Sequence, residues 1–383
     1  MKMRRDGRDT DTPSFVRHID TCLGCMACVT ACPSGVQYDS LLEAARPQVE
    51  REASRGLSDR LFRSLIFATF PHPRRLRWLS WPLGMYQTLG LQRLVRQSGL
   101  LKLLPLRLQS MERLLPPITG PTIDLPARIP AEGEQRRRVG LLSGCVQRVF
   151  FGGVNQATVR VLAAEGCEVI VPQNQACCGA LAEHSGEEQA AMASARRLIE
   201  AFEAVDVDTI VVNAAGCGSA MKRYGHLLRN DPEYADRAKA FALKCRDISE
   251  VLTELEPRAP RGRVDLRVAY HDACHLQHAQ GVRLQPRRLL QGIPGVEVSE
   301  IAESEICCGS AGIYNLLAPE AATELRTRKV QHILKTEADT IVSGNPGCLL
   351  QIAAGLEAAG RPMRIMHLVE VIDRSIREGK RVR

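Results

Sequence analysis

The chain has 383 residues, 45% of them hydrophobic and 25% charged, a balance that excludes a disordered or fibrous protein and leaves room for two or three domains. Its net charge of +8 is gathered in residues 51–113, where twelve Lys or Arg face three acids, so the rest is close to neutral. Fourteen cysteines at metal-type spacings, with no apolar leader, argue against a secreted disulfide scaffold and for thiolate ligands in a reducing cytoplasm.

The charged start, Met1-Lys2-Met3-Arg4-Arg5-Asp6, lacks the apolar run of a secretory signal. It leads to Cys22-Leu23-Gly24-Cys25-Met26-Ala27-Cys28-Val29-Thr30-Ala31-Cys32-Pro33, the C-x2-C-x2-C-x3-C-P spacing of ferredoxins. Thiolates two residues apart can wrap one loop around a face of an iron–sulfur cube, with Gly24 and Ala27 letting the backbone approach the sulfurs. Cys22, Cys25, Cys28 and Cys32 are therefore expected to hold a [4Fe-4S] cluster. A zinc knuckle would call for two C-x2-C pairs and fits poorly. In two-cluster ferredoxins the fourth cysteine of such a run serves the other cluster, so Cys32 can reach for a second one. The sequence has no second run of this kind, and another cysteine or a partner would complete the sites.

Helical periodicity runs from Leu41 to Glu52. Leu61, Phe62, Leu65, Ile66, Phe67 and Phe70 are expected along one side of a helix ended by Pro71-His72-Pro73. The next stretch, Arg74-Arg75-Leu76-Arg77-Trp78-Leu79-Ser80-Trp81, holds both tryptophans. Such a segment suits an anionic membrane surface. It suits a docking partner equally, or plain packing against the rest of the chain with solvated arginines. The longest uncharged runs are 340–356, broken by Asn345-Pro346-Gly347, and 78–92, which contains Pro82. Neither reaches the ~18 unbroken apolar residues of a membrane span, so membrane contact is expected only at the surface. Proline, glycine and charge mark 116–138 as a linker.

From there a pattern occurs twice. Cys177-Cys178-Gly179 follows Cys145 and precedes Cys217; Cys307-Cys308-Gly309 follows Cys274 and precedes Cys348. Matching members are 129, 130, 130 and 131 residues apart, so one unit is repeated in tandem. Strands are expected at 138–144, 168–172 and 208–212, with helices at 154–165, 187–204 and 219–229. The second copy is expected to place strands at 266–270, 296–301 and 340–343, a helix at 320–334, and a closing strand at 363–366 with a helix to 376. Right-handed crossovers return every parallel strand to the same edge, so each cysteine lies beyond a strand's carboxyl end and each set of four can meet. Clustered thiolates select iron–sulfur or zinc, or form a redox dithiol; buried structural cysteines are the remaining reading. Cys167 and Cys245 have no counterpart in the other copy and read as core residues. His271, His275 and His278 flank Cys274 as potential ligands, although surface or supporting roles are favoured because nothing similar surrounds Cys145.

The ferredoxin run followed by two Cys…CCG…Cys units resembles the CCG-domain iron–sulfur subunits, a group that includes heterodisulfide reductase, anaerobic glycerol-3-phosphate dehydrogenase and lactate-utilisation subunits. CxxCxACxxxCPSGVQY, AAGCGSAMKRYG, CHLQHAQ and CCGSAGIY look most like the glycolate oxidase type, from Asp20 to about Arg374. The resemblance implies an α/β fold of two tandem CCG repeats with parallel sheets, at 138–257 and 264–378. They would be preceded by a ferredoxin-like segment at 15–50 and a basic helical connector at 51–137. It implies an electron-transfer subunit of an oxidoreductase complex without its own substrate site, with FAD only on flavin-containing oxidase subunits and a membrane quinone as acceptor. No nucleic-acid partner is expected. Cys22, Cys25, Cys28 and Cys32 would be cluster ligands, and the two CCG sets further metal ligands. Family members carry two ferredoxin runs and this sequence shows one. Heterodisulfide reductase has a further cysteine where this chain has Ala220 and Gln351, so its noncubane cluster does not transfer safely. A heterodisulfide-reductase-like thiol–disulfide role, service to lactate or glycerol-3-phosphate oxidation, and a zinc-bound docking scaffold stay as alternatives.

Overall fold

Short β-branched runs such as Ile210-Val211-Val212 and Ile341-Val342 are too brief and too apolar for surface strands, and they form the middle of two parallel sheets. The computed structural model describes residues 12–118 and 124–381. The charged start of the chain and residues 119–123 of the expected linker lie outside them. The first sheet comprises β1 (Arg128–Ile129), β2 (Arg137–Leu141), β3 (Cys167–Ile170), β4 (Thr209–Val212) and β5 (Cys245–Asp247), in the order β1-β3-β2-β4-β5. The second has β6 (Leu266–Tyr270), β7 (Val296–Glu300), β8 (Thr340–Ser343) and β9 (Arg364–His367), in the order β7-β6-β8-β9.

All pairings are parallel except β1 on β3. The registers repeat: Val139 lies opposite Val169 and Thr209, and Val268 opposite Val298 and Thr340. In both copies the first strand therefore sits between the second and the third. That reversal of strand order opens a crevice beyond the strands' carboxyl ends. The tandem parallel α/β architecture is as the cysteine pattern implies. Two strands escape it: β1 arises inside the expected linker, and β5 begins at Cys245.

Each copy borrows part of its core from the other. The helix Gly152–Ala164, which follows β2, packs on the last helix, Leu368–Arg381, which follows β9. The helix Leu284–Gln291, which follows β6, packs on Ile248–Glu254, which follows β5. One continuous apolar cluster thus runs from Val139, Val161 and Val211 through Val251 and Leu252 to Val268, Leu290 and Ile372. Arg160 adds a two-pronged ion pair to buried Asp373, at 2.9 and 2.8 Å. Asp247 starts the helix Ile248–Glu254 with a capping box completed by Glu250, a device worth about 1 kcal/mol.

Before the sheets lie helices at Thr12–Asp20, Ala27–Ala31 and Tyr38–Glu52, then the connector helices Leu57–Thr69, Pro73–Thr88, Leu91–Gln97 and Leu106–Arg113. Pro73 opens its helix at the first turn, where its missing N–H costs nothing. The expected single apolar side of residues 61–70 is corrected: Ile66 is buried with Phe62, Phe67 and Phe70 packed nearby, whereas Leu61 and Leu65 face solvent. Residues 61 and 65 form their own i, i+4 row, and the run is wider than one buried stripe can hold. No helix among the described residues is long and apolar enough to cross a membrane.

Candidate metal centres

The strand ends set the cysteines at the same places in both copies. Cys145 and Cys274 lie four residues beyond β2 and β6, Cys177 and Cys307 seven beyond β3 and β7, and Cys217 and Cys348 five beyond β4 and β8. The side chains meet in the same sequence. In the first copy the thiols contact in the order Cys145, Cys177, Cys178, Cys217, with Cys145 Sγ 3.4 Å from Cys177 Sγ. In the second the order is Cys274, Cys307, Cys308, Cys348. The last cysteine of each set lies in a helix's first turn, in Ala215–Lys222 and Pro346–Ala358, so the expected helix start at residue 219 is too late.

All fourteen cysteines are free thiols. Cys177 is held well below the usual thiol range by hydrogen bonds from the thiols of Cys145 and Cys178, which are themselves driven up by contact with Cys177 and by burial. Contact with Cys307 and burial push Cys274 up in the same way. Four touching sulfurs, buried or partly buried, cannot all ionise unless a cation compensates them, and a thiophilic metal does so while releasing the protons. Both donor sets fit such a metal. Cys167 and Cys245 are fully buried, Cys245 in the apolar cluster that also holds Cys177 and Cys178, and burial, against the pull of Arg137 and Arg136, raises Cys167 to about 11, as expected of core thiols.

The second set has a histidine and an asparagine that the first lacks, and shares with it a glycine amide on the first sulfur of the doublet. His271, Cys308 and Cys348 place ligand atoms within 4.8 Å of one another, and neither ring nitrogen of His271 has a hydrogen-bond partner. Asn345 Nδ2 donates to Cys348 Sγ at 3.2 Å, and the Gly309 amide donates to Cys307 Sγ at 3.4 Å. His275 Nδ1 lies 3.5 Å from Cys274 Sγ. His278 points elsewhere, its Nδ1 meeting Thr30 Oγ1 at 2.7 Å and its Nε2 the Glu305 carbonyl at 3.0 Å. It fastens the ferredoxin-like run to the second copy. Of the surface or supporting roles favoured from sequence, the surface one is corrected for His271 and His278, both buried because β6 delivers them to the crevice, while His278 takes a supporting one. At Ala220 and Gln351 nothing replaces the missing thiols; Ala220 is core, and Gln351 is bound to Asn315 and the Ala322 carbonyl.

In the N-terminal run, Gly24 and Met26 both adopt left-handed backbone, at φ 61° and 64°, which folds residues 22–28 into a loop. The amide of Gly24 donates to Cys22 Sγ at 3.5 Å. A Cβ on Gly24 would lie 2.9 Å from Arg46 and from His184, so the small residue is needed for close approach. Cys22, Cys25 and Cys28 lie within electrostatic reach of one another, and burial raises Cys25 and Cys28. Among the described residues, no side-chain hydrogen bond or charge interaction links Cys32 to them. Cys25 also faces Cys274, packed with Leu23 against the second set. Arg46, whose Nη2 donates to the Cys22 carbonyl at 2.8 Å, and His184, whose ring lies tilted with its centre 5.7 Å from that of His275, line this junction. Neither was flagged by sequence, since no spacing ties them to a cysteine.

All tandem cysteines except Cys308 line one cavity of about 540 Å³ between the copies. The connector forms its other wall, through Ile66, Phe70, Leu76, Leu83 and Leu114. The two sets therefore open on a shared, largely apolar space that the basic helices cover.

With this geometry in view, the sequence profile described as "Glycolate oxidase iron-sulfur subunit, linker region" matches residues 58–115, and that of the "Cysteine-rich domain" matches 139–222 and 268–353. A "Probable glycolate oxidase iron-sulfur subunit" of Bacillus subtilis (strain 168) is 40% identical over 383 residues, covering 97% of this chain and 85% of that protein. The "Glycolate oxidase iron-sulfur subunit" of Escherichia coli (strain K12) is 34% identical over 94% of this chain and 82% of its own length. "Lactate utilization protein A" of Oceanobacillus iheyensis is 33% identical over 63% of this chain and 98% of its own.

Proposed function

The chain belongs to the glycolate oxidase iron–sulfur subunit family, and from that premise we propose that it is the electron-carrying subunit of a 2-hydroxy-acid-oxidising complex of the glycolate oxidase type. Flavin-bearing partner subunits oxidise the hydroxy acid, glycolate to glyoxylate, and this subunit passes the electrons to a membrane quinone. Cys22, Cys25, Cys28 and Cys32 would hold a [4Fe-4S] cluster. Cys145, Cys177, Cys178 and Cys217, and Cys274, Cys307, Cys308 and Cys348, would hold the metal of the two repeats. Such clusters, when bound, accept single electrons from a flavin that has collected two.

The observation that carries this reading is contiguity. Cys25 faces Cys274, and the two tandem sets open on one cavity, so the three candidate sites adjoin without an intervening domain. The chain's own residues favour charge transfer there: backbone amides and Asn345 donate to sulfur, Arg46 adds positive charge, and apolar walls exclude water. The division into segments 15–50, 51–137, 138–257 and 264–378 is part of the same proposal, as is a cytoplasmic location with peripheral contact at the inner face of the membrane.

The test is anaerobic purification with the flavoprotein partners. Iron and acid-labile sulfide should be present, and glycolate should reduce an EPR-active centre only when those partners are included. Cys25→Ser should stop reduction of a quinone analogue while flavin reduction by glycolate persists. A colourless, iron-free complex, or quinone reduction untouched by Cys25→Ser, would remove the proposal.

A further inference from the structure

Leu142 and His271 occupy one and the same place in the two copies. Each directly follows the first strand of its copy, and each amide donates to the matching valine of the third, Leu142 to Val211 at 3.0 Å and His271 to Val342 at 2.8 Å. Both side chains are buried, at 2% and 1% exposure. In the first copy this place is filled by an aliphatic group packed in the cluster that contains Cys177 and Cys178. In the second it is filled by an imidazole with both nitrogens buried and unpartnered, within 4.8 Å of the sulfurs of Cys308 and Cys348. A buried polar ring with neither nitrogen satisfied is costly and rare, and it calls for a partner of the right chemistry. The neighbouring sulfurs are poor hydrogen-bond acceptors, whereas a metal held by those sulfurs would take an imidazole nitrogen directly.

A second difference between the copies points the same way. The buried positions of the helices Glu188–Glu203 and Pro319–Leu334 correspond one to one, and Leu198 of the first is Lys329 in the second. Lys329 is 2% exposed, donates to the Glu303 carbonyl at 2.6 Å, and acts electrostatically on Cys308. Relative to the first copy, the second thus gains both a neutral donor and a positive charge around its sulfurs.

We propose that His271 is a ligand of the second copy's metal centre, which is therefore a mixed imidazole–thiolate site, while the first copy's centre is held by thiolates alone. The proposal rests on the iron–sulfur reading above. The positive charge of Lys329 near Cys308 favours the reduced form and raises the centre's reduction potential, and His271 adds a neutral donor that the first copy lacks. The second copy then holds electrons more tightly than the first, which gives the pair of sites a direction.

The test uses the complete chain, anaerobically purified with its partner subunits and labelled with 15N-histidine. Pulsed EPR of the wild-type protein should show a directly coordinated imidazole nitrogen whose coupling changes with the isotope. His271→Leu, which copies the residue tolerated at the same backbone place in the first repeat, should lose that coupling and shift the midpoint potential of one centre only. Iron-loaded wild-type protein without a coordinated histidine nitrogen overturns the proposal and leaves the electron-carrying function standing, and this measurement needs no variant to fold. So does a nitrogen coupling and potential unchanged in a folded His271→Leu protein. An iron-free wild-type protein overturns both.

Discussion

At the scale of single residues, the glycine after each cysteine doublet is fixed by its backbone. Gly179 and Gly309 are held at φ 76° and 87°, where a side chain is strained. A Cβ on Gly309 would lie 2.5 Å from the Ala322 carbonyl oxygen, and one on Gly179 would lie 3.1 Å from that of Ala191. Gly309→Ala should therefore cost about 3 kcal/mol and Gly179→Ala about 1 to 2 kcal/mol, combining left-handed strain with a clash that is severe only in the second copy. Denaturant midpoints of the two variants would measure this, and equal or negligible losses would contradict it. The doublets and their glycines were legible because chemistry fixes both residue type and spacing. Lys329 and Asn345 were not, for their meaning depends on Leu198 and Ala214 standing at the matching places, and that alignment emerges only once helices and strands are superimposed.

Elements were legible where their apolar period was pure. β4 and β8 follow from β-branched runs before Cys217 and Cys348, whereas β5 is three residues containing Arg246 and Asp247 and carries no such period. The helix Tyr38–Glu52 shows what periodicity leaves out. It docks on the first copy through charge: Arg223 pairs with both Asp39 and Glu43, and Glu43 in turn lies beside Glu183 of the short helix Ala180–His184. Burial and the neighbouring Glu43 raise the Glu183 carboxyl to about 8, against the pull of Arg223 and Arg46. A carboxyl raised on folding favours the folded state while it stays protonated. That contribution is complete below about 4.5 and is lost as pH rises toward about 8. Glu183→Gln, neutral throughout, should flatten the decline, leaving the variant a few degrees more stable than wild type at pH 8 and little different at pH 5. Parallel melting curves across this range would show that Glu183 is already ionised.

For the whole molecule, the reciprocal packing of the two repeats makes them one body, and the connector closes that body over the cavity. The helix Pro73–Thr88 has two roles. Leu76, Leu79 and Leu83 line the cavity, while Trp78 and Trp81 are 81% and 72% exposed beside the exposed Arg74, Arg75 and Arg77. Sequence leaves membrane, partner and plain packing open for this stretch, with plain packing weighing as much as the other two together. Outward tryptophans argue against plain packing, because burying them would have been worth about 1.5 to 3 kcal/mol each. The bilayer acceptor proposed above would give the face a use, since docking there would bring the wall of the cysteine-lined cavity to the lipid surface. The full chain should bind vesicles containing anionic lipid, more weakly as salt rises because the arginines are screened. Trp78→Ala with Trp81→Ala should weaken binding roughly tenfold without lowering the melting temperature, since both rings are largely solvated. Co-sedimentation at low and high ionic strength separates the cases: binding indifferent to salt and to both substitutions, or none at all, would assign the face to a protein partner.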